Sequence, residues 1–150
     1  TTPIIEHIID ENIEFSKFTI MIQKEVADRF MAEAGTKDYG YITLVLKYYF
    51  DISKVCDVSK YAFNPVPKVE SSVVSFVPRE KKLDVDADGY FKFLKNAFRQ
   101  KRKNLRNNLI GLYDLDIVLQ VLNKYGLDLS VRAESLSEEI LVDIYKSVTR

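Results

Sequence analysis

The sequence predicts the closing half of an α/β sheet followed by a small all-α region. Three observations carry that expectation. Two short runs rich in β-formers, FSKFTIMIQ and SSVVSFV, alternate with stretches whose apolar residues recur at helical spacing. Two prolines one residue apart, in FNPVPKV, forbid a regular helix and a central strand between them. Beyond Asp88 the periodicity is helical to the end of the chain. With 150 residues there is enough chain for one sizeable core or two small ones.

Each element follows in order. Thr2 to about Glu11 reads as a helix with Ile4, Ile5, Ile8 and Ile9 on one side, opened by Thr before Pro. Phe15 to Gln23 reads as a buried strand. KEVADRFMAEAG then gives an apolar stripe of Val26, Ala27, Phe30 and Met31, with Gly35 in the C-cap place. YITLVLKYYFDI is twelve residues, long for a strand, and is assigned to a helix. Ser53 to Val58 is a strand, and after the proline loop another begins at Ser71. The polar run from Pro78 to Asp88 supplies a linker, drawn at 81–88 between a first region, 1–80, and a helical one, 89–150. In that second region Gly89 to Leu109 is predicted as one helix. Asp114 to Tyr125 is the next, with Gly126 as its C-cap, and Ser135 to Val148 the last, opened by a capping box of Ser135 and Glu138.

Composition narrows the function classes. Apolar residues at 47% and charged residues at 29% describe a soluble globular chain rather than a disordered one. There is no run of eighteen apolar residues to span a membrane. Cys56 and His7 are the only residues of their kinds, which removes an internal disulfide, a cysteine zinc cluster and any multi-histidine metal site. A lone cysteine favours a reducing compartment, and the expected setting is the cytoplasm. The opening TTPIIEHIIDE starts within a helix and without Met, so a fragment of a longer protein is expected.

The net charge is zero, yet the charge is not spread evenly. Lys92 to Arg106 holds seven basic residues and no acid, whereas acids predominate from Leu112 to Arg150. On a continuous helix Lys95, Arg99, Arg102 and Arg106 would follow i, i+4, i+7 and i+11 as a single stripe, flanked by Lys101 and Lys103. The apolar residues Phe91, Leu94, Phe98, Leu105 and Leu109 would pack beside it. Like charges on one helix face repel by a few tenths of a kcal/mol per pair, so solvated faces usually mix signs. The unmixed stripe therefore favours binding of nucleic-acid phosphates over a merely solvated face, with an acidic protein partner second.

Phe63 leaves two readings open. A lone Phe commonly caps a core. Held by Pro65 and Pro67, it can instead present its ring for stacking on a nucleobase, worth about 1–3 kcal/mol, with Lys68 beside it for a phosphate. Other candidates are weaker: Lys24 and Glu25 read as a charged helix start more than a cleft, and His7 as a rim residue. Tyr39, Tyr41, Tyr48 and Tyr49 read as packing residues with surface hydroxyls.

MIQKEVADRF, GTKDYGYITLVLKYYFDI, AFNPVPKVESSVV and AFRQKRKNLRNNL resemble, in order and spacing, the rRNA adenine N6-dimethyltransferases, and most nearly the KsgA type that modifies small-subunit (16S) rRNA. FNPVPKV resembles the family's F-x-P-x-P-K-V loop, and FRQKRKNLRNNL the opening helix of its C-terminal domain. The resemblance covers essentially the whole chain. It implies the C-terminal part of a Rossmann-like S-adenosylmethionine-dependent methyltransferase domain, then a helical RNA-binding domain. It implies direct dimethylation of two adjacent adenosines near the 3′ end of the rRNA during ribosome assembly, with Phe63 stacking on the extruded base. Its partner would be small-subunit rRNA within a pre-ribosomal particle, and the protein a monomer. The glycine-rich cofactor loop, the acidic ribose ligand and the Asn-Pro-Tyr type motif of the family are absent from this sequence, so the chain by itself is expected to be inactive and to hold no cofactor contact. The alternatives are an Erm-type large-subunit rRNA methyltransferase and a non-catalytic RNA-binding or ribosome-assembly module.

Overall fold

The computed structural model describes residues 2–11 and 14–150. In chain order its elements are α1 (Thr2–Asp10), β1 (Phe18–Gln23), α2 (Lys24–Phe30), α3 (Tyr41–Tyr49), β2 (Phe50–Val58), β3 (Ser71–Pro78), α4 (Ala87–Ala97), α5 (Leu105–Leu109), α6 (Leu115–Lys124) and α7 (Glu138–Val148). They form two compact units. One comprises residues 1–31 with 47–82, the other 32–46 with 83–150.

In the first unit β3 is central in a three-stranded sheet of order β1-β3-β2, antiparallel to both neighbours. The two outer strands thus run parallel to each other, and their carboxyl ends, Gln23 and Val58, lie opposite the first residue of β3, Ser71. The register sets Phe18 against Phe76, whose rings stack at 4.5 Å, and Phe50 meets Phe76 edge-on at 5.6 Å. Phe76 and Val74 are fully buried, with Ile5, Ile22, Ala27, Phe30 and Phe50 completing this core. An extra residue between Lys54 and Cys56 bulges β2.

Several expected boundaries move. β1 begins at Phe18, and Phe15 instead packs its ring on Phe18 at 4.9 Å. The strand is not buried on both sides: its exposure alternates, and Met21 is 50% exposed, because only one sheet face meets the core. α2 ends at Phe30 with Met31 as its C-cap, so Gly35 is not the cap; its left-handed φ of +88° serves a later turn. Phe50 to Ile52 leave the helix and start β2, since Phe50 and Ile52 alternate inward against Pro78 and Phe76. On α1, which begins at Thr2, Ile5 is buried but Ile4 is exposed.

The second unit is helical. Tyr90, Phe93 and Leu94 of α4, Leu105 and Leu109 of α5, Leu122 of α6 and Leu141 and Ile144 of α7 are all fully buried. α6 starts on Asp114, whose carboxylate accepts the Asp116 N–H. It ends as expected at Gly126, in the left-handed region at φ +73°, with paired bonds from Gly126 N–H to the Asn123 carbonyl and Leu127 N–H to that of Leu122. α7 is capped by Ser137, not Ser135, which lies in a 3-10 turn, Ala133–Ser135. Ser137 puts the buried Leu136 just before the cap and the buried Leu141 at the fourth helical position, the arrangement of a hydrophobic staple; a start at Ser135 forgoes it.

The segment 32–46, read from sequence within the first region, is tied into this helical unit. Gly35 N–H donates to the Glu134 carbonyl at 2.7 Å, and the Tyr39 hydroxyl to the Leu136 carbonyl at 2.7 Å. The Tyr39 ring also meets Phe98 at 6.1 Å. Its hydroxyl is therefore buried rather than at the surface, and burial first, then the Glu138 charge, pushes its pKa upward.

Candidate nucleic-acid interface

The proline loop is built from its first turn. Ser59 Oγ accepts the Tyr61 N–H at 3.2 Å and starts a 3-10 turn, Lys60–Ala62, that ends when Phe63 N–H donates to the Lys60 carbonyl at 3.3 Å. Phe63 is then extended, with φ −111° and ψ 152°, and half-buried; the Asn64–Pro65 bond that follows is cis. Lys68 is exposed farther along the same loop. Glu70 closes the segment: its Oε2 accepts the Lys60 N–H at 2.7 Å and its carbonyl accepts the Lys24 N–H at 3.0 Å. Phe63 and Lys68 therefore lie beyond the carboxyl end of β2, the end of an α/β sheet where ligands bind. Lys24 and Glu25 begin α2 and also line a cleft there, so the two sequence readings for them hold together.

The basic residues are not on one helix, contrary to the sequence expectation. α4 ends at Ala97 and α5 begins at Leu105, so the i, i+4, i+7, i+11 stripe does not exist. Lys95 stands on α4, Arg99, Lys101, Arg102 and Lys103 on the connecting turn, and Arg106 on α5. Asparagine side chains break the helix. Asn104 caps α5 by accepting the Asn107 N–H at 2.9 Å. Buried Asn108 donates through Nδ2 to the Ala97 carbonyl at 3.0 Å and the Gln100 carbonyl at 3.1 Å, which closes the end of α4. Asn and Asp compete with the helix for backbone groups in this way, and the run NLRNNL was the available signal. All six cations are exposed, and none has an ion-pair partner among the described residues. Lys101 Nζ instead donates to the Lys37 carbonyl at 3.0 Å. The apolar partners are buried as expected at Leu94, Leu105 and Leu109, and half-buried at Phe91 and Phe98.

Elsewhere in the helical unit, Asp86 caps α4 by accepting the Gly89 N–H at 2.9 Å and takes the Tyr145 hydroxyl at 2.6 Å on its other oxygen. The hydroxyl bond, then the Gly89 N–H, hold the Asp86 carboxyl below its ordinary range. His7 is exposed. No helix among the described residues is long and apolar enough to cross a membrane.

The described residues do not fit S-adenosylmethionine. A nucleoside cofactor in an α/β sheet needs a glycine at a strand-to-helix turn where backbone closes on ligand. Gly35 and Gly40 lie between α2 and α3, Gly111 between α5 and α6, and Gly126 after α6. Only at Gly89 would an added Cβ meet neighbours, and those are Tyr145 and Asp86.

The family profile for ribosomal RNA adenine dimethylase matches residues 1–150. The chain belongs to that family. The chain is 37% identical over 148 residues to the Ribosomal RNA small subunit methyltransferase A of Chlorobium phaeobacteroides (strain BS1), covering 99% of this chain and 54% of that protein. With the protein of the same name from Thermotoga petrophila it shares 39% identity over 150 residues, covering 100% and 53%. It spans about half the length of these curated relatives. Its fold is similar to part of that of a dimethyladenosine transferase from Plasmodium falciparum, with TM-score 0.78, 26% identity, and coverage of 96% of this chain and 61% of that one. The 23S rRNA methyltransferase ErmE shares the fold at TM-score 0.72 with 22% identity, covering 98% and 62%.

Proposed function

We propose that this chain is the RNA-facing part of an S-adenosylmethionine-dependent adenine N6-dimethyltransferase that modifies two adjacent adenosines near the 3′ end of small-subunit rRNA, as a cytoplasmic monomer acting on a pre-ribosomal particle. The observation that carries this reading is the family match over residues 1–150. The small-subunit names of the curated relatives favour this substrate over large-subunit rRNA. Residues 89–150 would be a helical RNA-binding domain joined through 81–88 to the methyltransferase part.

The roles follow from chemistry. An adenine inside a duplex cannot be reached at N6, so it must leave the stack at a cost of a few kcal/mol. The half-buried Phe63 ring offers a flat face for the extruded base, offsetting about 1–3 kcal/mol of that cost. Lys68 sits on the same loop for a neighbouring phosphate. Lys95, Arg99, Lys101, Arg102, Lys103 and Arg106 present unpaired cations that neutralise backbone phosphates and set the register without reading sequence.

The test is methyl transfer by the full-length protein to undermethylated small subunits, with the modified bases mapped. Two dimethylated neighbouring adenosines in small-subunit rRNA are expected. Modification of large-subunit rRNA would move the protein to the Erm type, and RNA binding without transfer would leave a non-catalytic assembly module.

A further inference from the structure

Glu70 draws together lysines that are far apart in sequence. Its Oε2 on the Lys60 amide, at 2.7 Å, and its carbonyl on the Lys24 amide, at 3.0 Å, bring the first turn of the loop and the first residue of α2 to one cleft of about 330 Å³. Lys68 lies on the same cleft, beyond the carboxyl ends of β1 and β2. Phe63 N–H donates to the Lys60 carbonyl, so one turn carries both the ring and this ammonium group.

Three acids also line the cleft, Glu25, Asp28 and Glu70, so its formal charges balance. Glu70 Oε2 accepts a backbone N–H, which orients the carboxylate without removing its charge. Asp28 pairs with Lys24 at 3.4 Å, but these side chains are 43% and 45% exposed, and such a pair is weak enough for a stronger anion to displace. Lys60 Nζ lies 5.4 Å from the Tyr61 ring centroid, and neither Lys60 nor Lys68 has an ion-pair partner among the described residues. Three lysines and three carboxylates thus line the cleft, and Lys60 and Lys68 stand outside the ion pairs of the described residues. An anion entering there can engage Lys60 and Lys68 without breaking an ion pair.

We propose that this cleft binds a phosphodiester of single-stranded RNA, the one beside the base that stacks on Phe63. Lys24, Lys60 and Lys68 are its ligands, and Glu70 is the positioning residue whose carboxylate holds the Lys60 turn. This rests on the RNA reading above and adds Lys24, Lys60 and Glu70 to it.

The experiment uses the full-length protein and a fluorescent RNA hairpin with two adjacent adenosines in its loop, with anisotropy measured across a salt series. Lys24→Gln and Lys60→Gln are each expected to weaken binding about threefold to tenfold and to flatten the log K against log salt slope by about 0.7. Glu70→Gln keeps an oxygen acceptor for the Lys60 N–H and is expected to bind at least as tightly as the parent. Glu70→Ala loses the acceptor and is expected to weaken binding as Lys60→Gln does. A Lys24→Gln/Lys60→Gln protein with parental melting, affinity and slope would overturn the proposal, and so would tighter binding by Glu70→Ala, which would make Glu70 only a repelling charge. If Lys101→Gln/Arg102→Gln weakens binding while the cleft variants do not, the RNA reading stands and the cleft fails. If the parent neither binds nor methylates RNA, both fall.

Discussion

Gly89 sits in the first turn of α4 directly against the Tyr145 hydroxyl and the Asp86 carboxylate, where a Cβ has no room. Replacing a helical Gly by Ala usually stabilises by about 0.5–1 kcal/mol. Here the sign should reverse: Gly89→Ala is expected to destabilise by about 1–3 kcal/mol in chemical denaturation, from overpacking. Adding Tyr145→Phe should recover part of that loss, a coupling that a double-mutant cycle measures. The same contact predicts a pH dependence. Asp86 has a lowered pKa in the fold, so its contribution is present above the ordinary carboxylate range and is lost as pH falls through the lowered value. Tyr145 is pushed up to about 12, by burial and then by Asp86, so its contribution is complete below 10 and is lost as pH rises toward 12. Tyr125 is also pushed up to about 12 by its bond to Asp143, and Asp57, Asp128 and Asp143 are lowered too, so both arms are shared. The measurable expectation is a difference: stability of Tyr145→Phe should vary less than the parent's at both extremes of pH. At Phe63, Ala is expected to slow methyl transfer in the full-length protein without changing cofactor affinity, and Tyr or Trp to retain more activity than Leu, since flat π-faces stack on a base. Equal rates for Leu and Tyr would reduce the ring to a packing residue.

At the scale of elements, the break between α4 and α5 changes what the basic residues can do. A continuous helix would fix the cations along one line, whereas the turn from Phe98 to Asn104 displays Arg99, Lys101, Arg102 and Lys103 on consecutive bends of backbone. Each replacement by Gln at Lys95, Arg99, Arg102 or Arg106 is expected to weaken RNA binding and lower the salt slope by about 0.7–0.9, with similar effects across RNA sequences. A quadruple variant with the parental slope would remove this surface from RNA binding. The turn itself hangs on Asn108, buried between the Ala97 and Gln100 carbonyls.

For the whole molecule, the units do not follow chain order. Residues 32–46 leave the sheet unit between α2 and β2 and join the helical one through Gly35 and Tyr39. Tyr39→Phe removes the donor to the buried Leu136 carbonyl and is expected to cost about 1–3 kcal/mol. Hydrogen exchange at the Gly35 amide, which bonds to Glu134, reports whether the segment loosens; unchanged protection and stability would show that Tyr39 holds nothing there.

Local pattern was enough for much of this protein. The β-formers of FTIMIQ and SSVVSFV, the apolar spacing of α6 and α7, and Gly126 after Tyr125 each act within a few residues, so strands, helices and that C-cap were legible. The loop FNPVPKV could be placed after a strand because proline restricts its own backbone. The contact of Glu70, the residue that follows it, with Lys24 could not be read there, since the two meet only after β1 and β3 pair. The end of α4 was decided by Asn108, eleven residues from the carbonyl of Ala97 that it closes, and the start of α7 falls at Ser137, where Leu136 and Leu141 are buried, rather than at Ser135. The association of Tyr39 with Leu136 spans 97 positions. Hydrogen-bond partners and apolar neighbours at such separations are chosen by packing, which no window of periodicity contains.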